Sequence, residues 1–445
     1  MRRRRILSWT LFALFGLSPF GFTPRAAAQS LSSSDRATAQ MMLHNLKDEL
    51  KKHYFDPQFR GVDLDARFKA AEEKLGQATT NGQMFGIIAQ AMLSLNDSHT
   101  FFVPPQRATR IDYGWRLQMI GDRCYITAVK PETDAEAKGL KPGDILHVID
   151  GYSPTRENFW LLNYLYNVLQ PRAAVSVVVQ SPGEQPRKVD FAAGVRQGKK
   201  VLDLTSGSGL DFFDLIREGQ EMERITSHRF YESGKDLLVW NMPQFDLTKD
   251  EVDKYMDRAR NFKALVIDLR ENSGGYEETV LRLVGNLFDH DVKLGDIKRR
   301  GETKPLVAKT RGHDIFQGDL ILLVDSASAS ASELFSRVVQ LEKRGIVVGD
   351  HTAGAVMRAK GYYLQIGTSQ IVPYGASITD ADVLMSDGGS LEHVGVTPDK
   401  LLLPSGADMR AGADPVLAYA ASLAGVKLEP EKAGTLFPTR WKLKP

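Results

Sequence analysis

Residues 319–350 read DLILLVDSASASASELFSRVVQLEKRGIVVGD, and their pattern decides the fold. Leu320 to Val324 form an unbroken apolar run, as a strand covered on both faces does; Leu334, Val338 and Leu341 then recur at helical spacing. Strand character resumes at Ile346 to Val348. A strand, a helix and a strand within about thirty residues make a βαβ unit, whose strand-to-helix junction lies at the carboxyl edge of a parallel sheet. That junction carries Ser326, Ser328, Ser330 and Ser332 among alanines. Unpaired N–H groups at the start of the helix can stabilise an oxyanion. Serines at such a junction also serve simply as helix caps, and the string alone leaves both readings open.

The alternation extends upstream. Strands are expected at Leu237 to Trp240 and Ala264 to Leu269, with helices around 249–262 and 277–288, so this half of the chain reads as an α/β core. Between two of these elements lies Asp268-Leu269-Arg270-Glu271-Asn272-Ser273-Gly274-Gly275. Its paired glycines permit a tight turn and let backbone N–H groups approach a substrate, although an ordinary glycine turn looks the same. Residues 32–103 read as helical, with Met41, Met42, Leu46 and Leu50 at helical intervals and further helices at 64–75 and 84–95. Pro104-Pro105 closes the region and leaves Asp97-Ser98-His99-Thr100 at a helix-to-loop junction. From about 112 to 195 the pattern is short strands (117–120, 124–129, 145–150, 175–179) with a helix at 158–168. Its string Gly139-Leu140-Lys141-Pro142-Gly143-Asp144-Ile145-Leu146 resembles a PDZ domain, a module that binds extended peptides by adding a strand to a sheet edge. A small β domain serving as lid or spacer fits the same string.

With 445 residues, 42% hydrophobic and 25% charged, the chain has ordinary globular composition and length for two or three domains. Its 57 Lys and Arg against 55 Asp and Glu give no case for nucleic acid or an acidic membrane as partner. Arg2 to Arg5, an apolar segment from Ile6 to about Phe22 and Ala26-Ala27-Ala28 read as a cleavable secretory signal, residues 1–28, with no stable membrane span once it is removed. The protein is accordingly expected in the periplasm or outside the cell. Cys124 has no disulfide partner, and no His-x-x-His or similar cluster suggests a metal, so no cofactor is expected. The expected division is a helical region at 29–110, a PDZ-like domain at 111–200, a linker at 201–223, a core at 224–405 and a C-terminal helix and tail at 406–445.

Taken together, Asp97-Ser98-His99-Thr100, the 268–275 string, the serine ladder ending in Ser332-Glu333, and Glu392-His393-Val394-Gly395-Val396-Thr397-Pro398-Asp399 resemble the tail-specific or C-terminal processing serine peptidases, in order and with the PDZ-like segment between. The resemblance spans roughly residues 35 to 405. It implies a multidomain α/β protein with a crotonase/ClpP-like spiral α/β catalytic core, acting on protein or peptide substrates. It places the nucleophile on Ser330, with Ser328 second, among four serines that show no visible chemical difference.

One departure redirects the search for a base. Relatives with a serine-lysine dyad carry the lysine in a Thr-x-Gly-Lys-Gly string, and the corresponding residues here are Thr352-Ala353-Gly354-Ala355-Val356. Ala355 cannot take a proton, and an unassisted serine hydroxyl is a weak nucleophile. A second branch, similar to the tricorn core peptidase, uses an early histidine preceded by a serine and supported by a distant glutamate. That resemblance implies His99 as base, with Ser98 and Glu392 orienting it, and Ala331 with Gly274 or Gly275 as oxyanion donors. Lys360, His351 and His393 stand as alternatives for the base. His44, His53, His147, His228, His290 and His313 show no such motif context. Competing readings are a catalytically inactive peptide- or lipid-binding protein on the same fold, of which the retinoid-binding repeats of the interphotoreceptor protein are a family-level precedent, and a small ester or amide hydrolase. Oligomeric state is not legible.

Overall fold

The fold is described by a computed structural model over residues 31–107, 109–197, 228–367 and 371–438. The expected signal segment and the 201–223 linker lie outside the described residues. The architecture is mixed α/β. It begins with three helices, α1 (Ser33–His53), α2 (Leu64–Leu75) and α3 (Asn81–Leu93), capped by Ser32, Asp63 and Thr80, whose side chains accept from the first-turn N–H groups. Their apolar faces, including Leu46, Leu50, Phe68 and Ile88, are buried together.

Next come β1 (Phe101–Val103) and β2 (Thr109–Asp112), then an antiparallel five-stranded sheet: β3 (Trp115–Ile120), β4 (Arg123–Val129), β5 (Ile145–Ile149), β6 (Ala174–Gln180) and β7 (Arg187–Ala192), in that spatial order. The short helix α4 (Asp134–Ala137) follows β4. Between β5 and β6 runs α5 (Phe159–Tyr164), continued by a π-helical turn, Leu165–Leu169. The strand β8 (Gly194–Gln197) returns to pair with β2.

The 228–438 region is built on a six-stranded sheet. Its strands are β9 (Arg229–Ser233), β10 (Leu237–Asn241), β11 (Ala264–Asp268), β14 (Asp319–Val324), β15 (Ile346–Gly349) and β18 (Lys400–Leu401). All neighbours from β10 to β18 pair in parallel, and β9 closes one edge antiparallel. Every residue of β11 is buried, as a two-sided strand requires. One face is covered by α6 (Lys249–Ala259), α7 (Glu277–Gly285) and α8 (Ala331–Leu341), through Met256, Leu283 and Phe335. The other meets Val416, Leu417 and Ala420. The C-terminal region is not one helix but three, α9 (Gly406–Ala411), α10 (Pro415–Leu423) and α11 (Pro430–Leu436). Gly412, in the left-handed conformation at φ 68°, stops the first of them.

A second, antiparallel sheet lies outside the sequence reading: β12 (Val292–Arg299), β13 (Glu302–Ala308), β16 (Met357–Ile366) and the long β17 (Val372–Met385). The strand β1 joins this sheet by pairing Phe101 with Ser377 and Phe102 with Ala376. The segment that carries His99 is thereby fastened to the C-terminal half of the chain.

Candidate active site

The serine ladder falls between β14 and α8, and the structure separates its four members. Ser328 and Ser332 are fully buried and donate their hydroxyls to Leu269 O (2.8 Å) and Asn272 O (2.9 Å). Ser326 donates to Met119 O. These three tie loops together rather than cap the helix. Ser330 is different: its hydroxyl donates to no carbonyl among the described residues, and its backbone sits at φ 54°, ψ −114°. That is the geometry of the first central residue of a type II′ turn, which normally demands glycine, and holding a serine there costs about 1–3 kcal/mol. A strained strand-to-helix turn lifts a serine out of the packed sheet edge and exposes its Oγ.

Four hydrogen bonds hold this turn, all accepted by one buried carboxylate that the sequence reading passes over. Glu333 Oε2 takes the N–H of Ser330 (3.0 Å) and of Ala355 (2.9 Å), while Oε1 takes Thr352 Oγ1–H (2.6 Å) and Gly354 N–H (2.7 Å). Burial pushes its carboxyl up to about 7 against the pull of these four donors. The sequence signal was present as Ser-x-x-Glu at a helix start, the spacing of a capping box. Ser330 N–H is thus spent on the glutamate, and Ala355 O is 2.9 Å from the same nitrogen. The 352–355 segment, where dyad relatives carry a lysine, is held against the serine by the Glu333 carboxylate and the Ala355 carbonyl.

His99 is reached through that segment. Val356 N–H donates to Glu392 Oε2 (2.9 Å), and the same carboxylate accepts from Ser98 Oγ–H (2.8 Å, to Oε2) and Ser98 N–H (2.7 Å, to Oε1). Ser98 Oγ lies 2.7 Å from His99 Nδ1. A hydroxyl has one proton; Ser98 gives it to Glu392, so it can only accept from Nδ1–H. The ring is therefore the Nδ1–H tautomer, and Nε2 carries the free lone pair. Burial depresses the basicity of His99, partly opposed by the charges of Glu392 and Asp97, so the ring is neutral near neutral pH. Asp97 fixes the loop by accepting His99 N–H (3.0 Å), Thr100 N–H (2.7 Å) and Thr379 Oγ1–H (2.7 Å). Ser330 and His99 are thus both linked to the Ala355–Val356 backbone, the serine through Glu333 and Ala355 O and the histidine through Ser98 and Glu392, with no hydrogen bond between Oγ and Nε2 among the described contacts. Catalytic hydrogen bonds are often long before substrate binds.

The glycine turn abuts the same serine. A Cβ built on Gly274 (φ 103°) would lie 2.7 Å from Ser330 Cβ and 3.0 Å from Ala331 N. Gly274 N–H is occupied by Asn272 Oδ1 at 2.8 Å. Asn272 is fully buried, and its Nδ2 donates to Met242 O at 2.8 Å. Among the described residues, the N–H groups of Gly275 and Ala331 have no acceptor. The other base candidates have partners of their own, and His393 Nε2 also lies 3.5 Å from Glu392 Oε1. Lys360 Nζ is 3.5 Å from Asp380, His351 Nδ1 is 3.2 Å from Thr397 Oγ1, and His393 Nε2 is 2.9 Å from Asn96 O. No group of three metal-binding side chains occurs among the described residues, and no described helix is long and apolar enough to cross a membrane.

The β3 edge of the five-stranded sheet is seated on this site. Gln118 Nε2 donates to Asp325 Oδ2 (2.6 Å), Arg116 pairs with Glu271 (3.1 Å), and Asp350 Oδ2 accepts from Gly121 N–H (2.8 Å) and Arg156 (2.5 Å).

Residues 236–402 match the model of Peptidase family S41, a likeness to serine-type peptidases over that stretch of the chain. It is 27% identical over 309 residues to the Tail-specific protease of Haemophilus influenzae, covering 65% of this chain and 41% of the relative. It is 24% identical over 337 residues to the Carboxyl-terminal-processing protease of Picosynechococcus sp., covering 73% of this chain and 74% of the relative. Among solved structures, mature CPAF superimposes with a TM-score of 0.63 at 17% identity, over 85% of this chain and 95% of that one, a likeness of fold.

Proposed function

We propose that this chain is an exported serine endopeptidase that hydrolyses peptide bonds in unstructured proteins or peptides, with Ser330 as nucleophile and His99 as general base. The observation that carries the reading is the Glu392–Ser98–His99 chain of hydrogen bonds, because it presents a neutral imidazole with a free Nε2. Nε2 removes the Ser330 Oγ proton as the oxygen attacks the substrate carbonyl, and the imidazolium returns it to the leaving amine. The Gly275 and Ala331 N–H groups bind the oxyanion, and Gly274 provides clearance for the serine. Water then enters by the same proton route to release the acid and regenerate Ser330.

Several further assignments belong to the same reading: a PDZ-like role for the five-stranded sheet, a crotonase-like spiral for the core, and export on the strength of residues 1–28. The tail-specific and carboxyl-terminal-processing names of two relatives support protein or peptide substrates. Absence of a lysine at Ala355 favours a second reading, a silent binding protein on the same fold. Labelling by a serine-directed phosphonate and hydrolysis of an unfolded protein separate the two. Ser330→Ala and His99→Ala should each lower turnover by roughly 10⁴-fold or more, and undiminished cleavage by Ser330→Ala would overturn the assignment.

A further inference from the structure

A group of apolar side chains beside His99 takes no part in the chemistry above. Phe101 and Val103 flank the buried Phe102 on β1 and so share the opposite face of the strand. Against them stands α5, with ring centroids 5.9 Å apart for Phe101 and Trp160, 6.1 Å for Phe101 and Tyr164, and 5.1 Å for the stacked pair Trp160 and Tyr164. Trp160 is 47% exposed, Val103 44% and, in the π-helical turn that continues α5, Val168 37%. Neighbouring apolar groups left open to water in this way mark a binding surface more often than chance.

Their position says what covers them. Just ahead of α5, Arg156 donates to His351 O (3.1 Å) and Asp350 Oδ2 (2.5 Å), which lead into the 352–355 segment held against Ser330. At its other end Tyr164 OH donates to Phe102 O, three residues from His99. The segment from Arg156 to Tyr164 thus touches both the Asp350–His351 pair and the β1 strand that follows His99. Phe101 follows His99 by two residues at the start of β1, within the reach of an extended peptide bound at that histidine.

We propose that this patch is a substrate subsite for a large apolar or aromatic side chain, with Trp160 a specificity-determining residue. The proposal rests on the peptidase reading for its occupant. It differs from a general peptide-binding role for the five-stranded sheet in drawing one wall from the His99 strand.

Binding is measured on the full chain bearing Ser330→Ala, using fluorescent peptides that differ at one position, Leu or Phe against Ser. The apolar peptides should bind about tenfold more tightly, the gain expected from covering most of one such side chain. Trp160→Ala and Val103→Ser should each erase that preference while leaving the affinity for the Ser peptide unchanged. Persistence of the preference in both variants overturns the proposal, and if Trp160→Ala does not fold, Val103→Ser decides alone. Loss of binding to phosphatidylcholine vesicles with unaltered peptide preference also overturns it, since the patch would then face lipid. With Ser330 intact, a protein that binds the peptides but never cleaves them would refute the peptidase reading and leave the subsite standing.

Discussion

The amide N–H of Ser330 donates to Glu333 Oε2 at 3.0 Å, so the residue that anchors the strained serine lies one helical turn after it. A carboxamide at 333 has only one accepting oxygen, and whichever way it turns, its NH₂ faces at least one N–H donor. Glu333→Gln should therefore cost about 1–3 kcal/mol of stability by thermal or urea unfolding, and lower kcat by roughly 10²-fold as Ser330 shifts. A variant with wild-type kcat would show that the serine turn holds itself.

Glu333 also makes that stability difference depend on pH. Its carboxyl titrates at about 7 in the fold against an ordinary 4.5, so the folded state keeps the proton longer than the unfolded chain does. The stabilisation is complete below 4.5 and is lost as pH rises through 7. The gap between wild type and Glu333→Gln should be widest at acid pH and narrow toward pH 7, and a gap that widens over that range would contradict the assignment.

His99 sets a separate limb in the rate. Its basicity is depressed, so kcat/KM should rise with pH through a value below 6.5, and in Glu333→Gln that limb should remain. The Glu392 charge raises the histidine; Glu392→Gln should move the limb to lower pH as well as reduce kcat. Ser98→Ala removes the acceptor of Nδ1–H and should lower kcat by roughly 10²- to 10⁴-fold, the range expected when the tautomer is no longer fixed. A limb that ignores Glu392→Gln would point to a different base.

Gly274→Ala tests the turn by steric means. The new methyl lies 2.7 Å from Ser330 Cβ at a φ of 103°, which alanine adopts only with strain. Turnover should collapse by 10²-fold or more while the circular dichroism spectrum is preserved, because a displacement of about 1 Å at the nucleophile is enough.

At the sheet junction, Arg156→Ala strips its cation from Asp350, a residue only 4% exposed in the intact protein. The expected cost is about 3 kcal/mol, read as a lower unfolding midpoint, with part recovered by Asp350→Asn in the double variant. Equal stability of wild type and Arg156→Ala would mean that the seat is held elsewhere.

The parallel core was legible because its strands are uniformly apolar and its helices amphipathic: the run 320–324 and the spacing of Leu334, Val338 and Leu341 admit few alternatives. The second sheet was not. Its β13 contains Pro305, β12 carries a bulge between Lys293 and Gly295, and β16 mixes Lys360, Gly361 and exposed Tyr363, so neither alternation nor a continuous apolar run survives. The site divides in the same way. The motifs led to loops that the fold brings close to one another, but four serines and two glycines are chemically equal in a string, and only contacts tell them apart. A positive φ and an uncommitted hydroxyl distinguish Ser330, and the Asn272 side chain distinguishes Gly274 from Gly275.

Ser98 and Glu392 meet across 294 residues of chain. A chain still being synthesised carries its histidine long before its glutamate, and on the proposed mechanism it holds only a poorly activated serine until the last strands close. Hydrolytic competence is then a property of the finished molecule alone: the protein would be harmless to itself and its neighbours while incomplete, and the onset of cleavage would serve as a clock for the completion of folding.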